Sequence, residues 1–343
     1  MNKPLRVAVV GAGRMGQHHA RIYGELDECE LVAVVDKDLD RAGEVASKHG
    51  GQAVQRMSDV TGELDAVTVA VPTVYHAEVA IPLMERGVAV LIEKPLAPDT
   101  TSASQLLKAS RKYNRVLQVG HSERFNPVVQ AMLRMEVTPR FIETHRISPF
   151  TFRSADIGVV FDMMIHDIDI VLHLTKQRDY TIDAVGVSVL GEWEDVANAR
   201  VHFADGVVVN MTASRLALKT ERKIRVFAPM GYLSMDYQKK SGVAIKLADN
   251  LDLVRMARER DFEDLSQMQN LDFGSMVKIE PLVIDDVEPL KAEIGSFLSS
   301  VRTNSTAAVS AEEGYAAVEM AERITQSVKE QNWGRQLEHV SDS

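Results

Sequence analysis

From the start of the chain to Gly120, short runs of Val, Ala, Leu and Ile alternate with longer segments in which apolar positions recur at helical spacing. The runs fall at 5–10, 31–35, 66–71, 88–92 and 116–119. They are nearly continuous, whereas a half-exposed strand would alternate apolar and polar positions, and this is the pattern of strands covered on both faces. One such run could equally be a buried helical segment. Five of them, separated by helix-length spacers, predict a parallel sheet wrapped by helices.

After Gly120 the texture changes. Segments 185–190, 199–203, 207–213, 223–228 and 231–236 read as successive strands, with Asp205-Gly206 and Pro229-Met230-Gly231 as turns, which predicts an open, largely antiparallel or mixed sheet in an α+β domain. Two helices close the chain. In 287–302 the residues Leu290, Ile294, Phe297, Leu298 and Val301 share one face; in the next, Ser310 and Glu313 have capping-box spacing ahead of Ala317, Ala321 and Ile324.

The 343 residues fit two domains at roughly 150 residues each. Lys and Arg number 39 against 49 Asp and Glu, a formal charge of −10, so no global positive field favours nucleic acid or a membrane surface as partner. The single cysteine, Cys29, excludes an intramolecular disulfide framework and a one-chain thiolate metal cage. The first apolar run is too short for a signal-peptide core, and no stretch approaches the ~18 residues that span a bilayer. A soluble, cytoplasmic protein is expected.

Gly11-Ala12-Gly13-Arg14-Met15-Gly16 follows the first predicted strand and opens a helix. Its glycines permit a tight turn, close approach of a pyrophosphate to the backbone, and close packing of helix on strand. Asp36 ends the second run, 20 residues after Gly16, where a carboxylate accepts hydrogen bonds from ribose hydroxyls. That carboxylate would repel a 2′-phosphate and favours NAD, while Lys37 and Arg41 nearby leave NADP open. The expected division is an α/β Rossmann dinucleotide-binding domain over 1–120, an α+β substrate-binding and oligomerisation domain over 121–334, and a polar tail over 335–343.

Glu93-Lys94-Pro95 follows the fourth run, at the carboxyl edge where open α/β sheets bind ligands. With Gly11 to Gly16, Val71-Pro72 followed by His76, and the closing Glu288-Pro289-Leu290-Lys291, the chain resembles the Gfo/Idh/MocA family of nicotinamide-dependent oxidoreductases. The resemblance implies that Lys94 lies beside the nicotinamide and the reacting hydroxyl, and that Gly11, Gly13, Arg14, Met15, Gly16, Asp36, Pro72, His76 and Glu93 bind the cofactor. For His76 a helix-entry role is the alternative. His18 and His19, on the first helix, read as packing or solvent-facing residues, and His121 and His145 carry no assigned role.

In the segment 161–169, Phe161, Ile165, Ile168 and Leu172 form an apolar helical face and Asp162, His166 and Asp169 the neighbouring stripe. Alcohol oxidation needs a base as hydride leaves carbon, and a histidine oriented by a carboxylate suits it. The segment matches the family's Asp-x-x-x-His pattern, which implies that Asp162 and His166 face substrate; a helix-surface ion pair is the plain alternative, and no metal is expected. Gly120 to Pro127, Asp156 to Val160 and Ser214-Arg215 resemble a subgroup that oxidises the 3-hydroxyl of UDP-N-acetylglucosamine to a ketone, as in routes toward an amide-linked lipid A. Arg124, Asn126, Arg146, Arg153 and Asp169 are the candidate substrate contacts, the arginines for a diphosphate. A free sugar or cyclitol dehydrogenase, and a non-catalytic NAD-binding sensor, are the competing readings. A homodimer or homotetramer is expected from an exposed sheet face.

Overall fold

The computed structural model describes residues 3–151, 157–229, 231–247 and 277–331. The five apolar runs become β1 (Leu5–Val10), β2 (Cys29–Val35), β4 (Ala66–Val69), β5 (Ala89–Glu93) and β6 (Leu117–Gly120). A sixth strand, β3 (Gln52–Val54), is too short to show a period in the sequence. All pair in parallel in the order β3-β2-β1-β4-β5-β6, the doubly wound arrangement whose ligand crevice opens at the carboxyl ends of the strands. Neighbouring side chains alternate between two cores. Ala8, Val10, Val67, Val69, Val90 and Ile92 face helices α3 (His76–Glu85) and α4 (Thr100–Tyr113). Val7, Val9, Leu31, Val34 and Leu91 face α1 (Arg14–Glu25) and α2 (Leu39–His49). Apolar residues are needed on both sides, so the runs are continuous.

Two shorter helices, α5 (Pro127–Leu133) and α6 (Ile165–Thr175), belong to the second half of the chain. Helix α7 (Pro289–Thr303) buries Ile294, Phe297 and Leu298 in the core that holds Val7, Val9, Ala89 and Leu91. Residues 289–303 therefore pack on the first sheet, although the linear division placed them with 121–334. A parallel sheet needs both faces covered, and α7 supplies the layer over β5. The last helix, α8 (Ala311–Glu330), starts with the expected capping box. It then serves both halves: Val318 packs in the first sheet's core, and Ala317, Met320, Ala321 and Ile324 in that of the second sheet.

The second sheet has the order β14-β13-β12-β11-β7-β10-β9-β8. Its strands are β7 (Phe141–Ile147), β8 (Tyr180–Val187), β9 (Val196–Phe203), β10 (Val208–Ser214), β11 (Glu221–Ala228), β12 (Gly231–Asp236), β13 (Ser241–Leu247) and β14 (Val277–Pro281). Every pair is antiparallel except β7 with β10. The strand expected at 185–190 ends at Val187; the amides of Val189 and Leu190 turn instead onto Asp195 Oδ2, each at 2.7 Å. β7 escapes the sequence reading because its inward positions include Thr144 and Arg146, which break the apolar alternation. β13 and β14 were not expected either. Met230 of the expected turn and the tail 335–343 lie outside the described residues.

On the outer face of this sheet Phe141, Phe227, Tyr232, Ile245 and Ile279 stand in one cross-strand row. The rings of Phe141 and Phe227 are 5.5 Å apart and those of Phe227 and Tyr232 4.7 Å. Phe227 and Ile279 are exposed.

Candidate active site

The turn between β1 and α1 is shaped for a pyrophosphate. Gly11 has φ +99°, and a Cβ there would lie 2.4 Å from the Ala70 carbonyl oxygen; a Cβ at Gly16 would lie 1.7 Å from that of Gly11. Glycine is thus required at both positions. Gly13 is different: a Cβ would meet nothing within 4 Å, so open space stands above its backbone. Gly13 is also the N-cap of α1, with no side-chain cap and no acidic residue in the first turn, so the helix's first N–H groups are available to an anion. Arg14 is exposed and Met15 half-buried beside them. Asp36 Oδ2 accepts from the Ala12 amide at 2.7 Å and lies 3.9 Å from Arg41 Nη1. The carboxylate fixes the loop, and the residues present fit a dinucleotide.

β5 delivers Glu93 and Lys94 to the carboxyl edge. Glu93 is buried and its Oε1 lies 2.8 Å from His19 Nε2; His19 Nδ1 lies 3.3 Å from Thr68 Oγ1, which is paired at 2.8 Å with Tyr23 Oη. Burial alone would raise the Glu93 carboxyl, but His19 and Lys94 hold it below the usual carboxylate range. His18, one position away, faces solvent. The ring nitrogens of His76 lie 3.0 and 3.2 Å from the carbonyl oxygens of Val71 and Leu96. Burial lowers His76 and favours the neutral ring, whose single N–H can donate to one of the two, so His76 stands between the exposed Pro72 loop and the segment after Lys94-Pro95.

Lys94 Nζ donates to the Asp162 carbonyl oxygen at 2.8 Å and lies 3.7 Å from Asp162 Oδ1. The expected Asp162–His166 pair does not form. Val160–Met164 is a π-helical turn that becomes α-helical only at Ile165, so the simple i, i+4 stacking is lost. Lys94 takes the carboxylate instead, and His166 Nδ1 is buried without a hydrogen-bond partner. His166 as a whole is half-buried. Desolvation, then the positive charges of Lys94, Arg146 and Arg222, hold it well below the usual histidine range. Desolvation also lowers the Lys94 ammonium against the pull of Asp162 and Glu93. The result is an uncharged imidazole beside a lysine of reduced proton affinity.

Of the arginines expected to meet a diphosphate, Arg124 and Arg146 are instead buried and paired. Arg124 Nε and Nη2 donate to Asp169 at 2.9 and 2.6 Å, and Nη1 donates to Glu313 at 2.9 Å. Arg146 Nε and Nη2 each donate to Asp167 at 2.9 Å, and Nη1 to Glu123 at 3.2 Å. Arg124, Arg146, Asp167 and Asp169 are at most 4% exposed. The reason is topological: α6 brings Asp169 to Arg124 and Asp167 to Arg146, α8 adds Glu313 beside Arg124, the turn at 122–125 adds Glu123 beside Arg146, and charges withdrawn from water must be neutralised locally. Asp169 is accordingly an ion-pair partner, not an open substrate contact. Asn126 caps α5, accepting from the Val128 amide at 3.0 Å. Arg153 and Asp156 lie outside the described residues. His145 is on the outer sheet face near Glu143 and Glu221, away from Lys94.

The cation the sequence reading missed is Arg222. It stands opposite Arg146 across the β7–β11 pair, on the inward face where β11 begins, with its side chain 47% exposed and Nη1 3.9 Å from Glu123. No local motif marks it, because only the strand register places it there.

Residues 5–121 match the family described as "Oxidoreductase family, NAD-binding Rossmann fold", and residues 131–234 match the "GFO/IDH/MocA C-terminal domain". The chain is 36% identical to the UDP-N-acetylglucosamine 3-dehydrogenase of Acidithiobacillus ferrooxidans over 68% of its own length and 74% of that enzyme. The chain belongs to the GFO/IDH/MocA family. It is an NAD(P)-dependent oxidoreductase with an NAD-binding Rossmann domain. A solved structure of the UDP-N-acetylglucosamine 3-dehydrogenase from Acidithiobacillus ferrooxidans superposes with a TM-score of 0.83 at 29% identity, covering 96% of this chain and 99% of that one. Inositol 2-dehydrogenase 1 of Paenarthrobacter aurescens is 38% identical over 68% of this chain and 70% of its own. A levoglucosan dehydrogenase solved with NADH and levoglucosan shares the fold, with a TM-score of 0.79 at 17% identity and 96% and 98% coverage. Among the described residues no group of three or more His, Cys, Asp or Glu is arranged to hold a metal, and no helix is long and apolar enough to cross a membrane.

Proposed function

We propose that this oxidoreductase oxidises the sugar 3-hydroxyl of a nucleotide sugar, UDP-N-acetylglucosamine, to the 3-keto sugar, with NAD preferred over NADP. The observation that carries the chemistry is the meeting of Lys94, Asp162 and an uncharged His166 at the carboxyl edge of the parallel sheet. Bound NAD supplies the hydride acceptor. His166 receives the hydroxyl proton on Nε2, since Nδ1 is buried. Lys94, anchored through the Asp162 carbonyl, donates to the substrate oxygen and supports negative charge that develops there. Asp162 holds the lysine in place and balances its charge.

Two observations support the nucleotide sugar. The Acidithiobacillus relative acts on UDP-N-acetylglucosamine by its name, and Arg222, whose charge is felt at His166, offers a half-exposed guanidinium to a diphosphate. The identity to an inositol 2-dehydrogenase favours a cyclitol as the second reading. The homo-oligomer would form on the outer face of the second sheet, through the row that contains Phe227 and Tyr232. The deciding experiment is NADH absorbance against a panel of UDP-sugars and free cyclitols with wild type and His166→Asn. Turnover of UDP-N-acetylglucosamine that falls by ~10²–10⁴-fold in the variant supports the reading. Turnover confined to cyclitols, or undiminished in His166→Asn, refutes it.

A further inference from the structure

Behind Lys94, where α7 crosses the end of β6, three side chains are withdrawn completely from solvent. Gln118, His121 and Glu293 are each 0% exposed. Gln118 Nε2 donates to the Glu293 carbonyl oxygen at 3.0 Å and ties β6 to α7. Gln118 Oε1, both ring nitrogens of His121 and both carboxyl oxygens of Glu293 have no partner. Proteins do not leave such groups dry: buried unpaired polar atoms are matched by internal water where space permits.

The charges around the group decide its protonation. Glu293 on α7 faces Glu93 of β5 and Asp169 of α6, both carboxylates, and Tyr23 of α1, whose hydroxyl is paired with Thr68. His121 faces Asp169 and Glu93, and also Arg124 and Lys94. Glu93 is engaged by His19 and Asp169 by Arg124, so neither His19 nor Arg124 serves Glu293. An ionised carboxylate without donor or counter-charge in this place is untenable. A neutral acid offers one O–H and accepts on the other oxygen, a neutral imidazole donates once and accepts once, and Gln118 Oε1 accepts. Together they offer a water molecule both donors and acceptors. Burial and the two carboxylate neighbours raise Glu293 well above the usual range, in the same direction.

We propose that Gln118, His121 and Glu293 enclose a buried water site behind the catalytic lysine, with Glu293 as the neutral acid that donates into it and positions the Glu93-Lys94 segment. A second negative charge beside Glu93 would bind the Lys94 proton more tightly; an uncharged Glu293 avoids this while filling the seam with hydrogen bonds. Glu293 touches neither substrate nor cofactor and acts through Glu93. The proposal rests only on the oxidoreductase activity, not on the identity of the sugar.

The test compares Glu293→Gln, which keeps shape and neutrality, with Glu293→Ala. The folded wild type holds a proton that the unfolded chain releases above the usual carboxylate range, so its unfolding equilibrium shifts toward the unfolded state by up to tenfold per pH unit there. Glu293→Gln lacks that titration. Its stability relative to wild type should therefore rise steadily between about pH 5 and pH 8. For NADH formation on whichever alcohol the wild type turns over, kcat should fall about tenfold in Glu293→Ala with the NAD Kd unchanged, and Glu293→Gln should restore it. A stability difference that is constant with pH overturns the neutral acid, even where the alanine variant fails to fold. Equal kcat values for wild type and alanine overturn the positioning role, and a crystal structure without water among the three side chains overturns the site.

Discussion

Arg146→Met tests whether the buried arginines serve the fold or an open anion site. The methionine keeps much of the side-chain stem, so packing changes little. What is lost is the cation that holds Asp167 and Glu123 through three hydrogen bonds of 2.9, 2.9 and 3.2 Å, in a place where those side chains are 2% and 13% exposed. Arg222, 3.9 Å from Glu123 and half in solvent, replaces little of it. Removing one partner of a buried pair costs about 3–5 kcal/mol, because the remaining charge is uncompensated. The loss depends on pH with a definite sign. In the variant the two carboxylates have folded-state pKa values above their unfolded ones, so each protonates readily in acid, and the penalty grows as pH rises through the unfolded value. Urea unfolding at about pH 5 and pH 7 should give a larger loss at the higher pH. A loss under about 1 kcal/mol at pH 7, together with a raised KM for an anionic substrate, would refute the reasoning and return Arg146 to the substrate.

Three further outcomes are expected. Gly16→Ala should abolish NAD binding measured by calorimetry, because its Cβ would sit 1.7 Å from the Gly11 carbonyl oxygen and displace the loop. Wild type should bind NAD more tightly than NADP, and Asp36→Ala should narrow the gap while weakening both, since Asp36 also holds the Ala12 amide; an unchanged ratio would remove Asp36 from ribose recognition. Arg222→Ala should raise KM for a UDP-sugar more than it lowers kcat, and should move the acid limb of kcat/KM to higher pH, because a positive charge that holds His166 down is gone; a fixed limb would place Arg222 away from His166.

The sequence by itself determined five of the six strands of the first sheet and its cofactor turn. Five continuous apolar runs, the glycines at 11, 13 and 16 and the acid at 36 are local signals, since backbone shape and two-sided burial act on neighbouring residues. It also determined that Lys94 follows a strand and that His166 lies on a helix. Only the tertiary structure decided what these groups meet. The π-helical turn at Val160–Met164 gave Asp162 to Lys94 instead of His166. Strand register brought Arg222 beside Arg146, and the meeting of the 122–125 turn and β7 with α6 and α8 neutralised Arg124 and Arg146. One clue was present unread: Glu293 interrupts the apolar stripe of α7 between Leu290 and Phe297, and a polar residue on a buried helix face needs a partner from elsewhere in the chain. Periodicity reports which residues leave water, whereas the charge, protonation and reach of a buried group depend on partners far away in sequence, and those are set by how the elements pack.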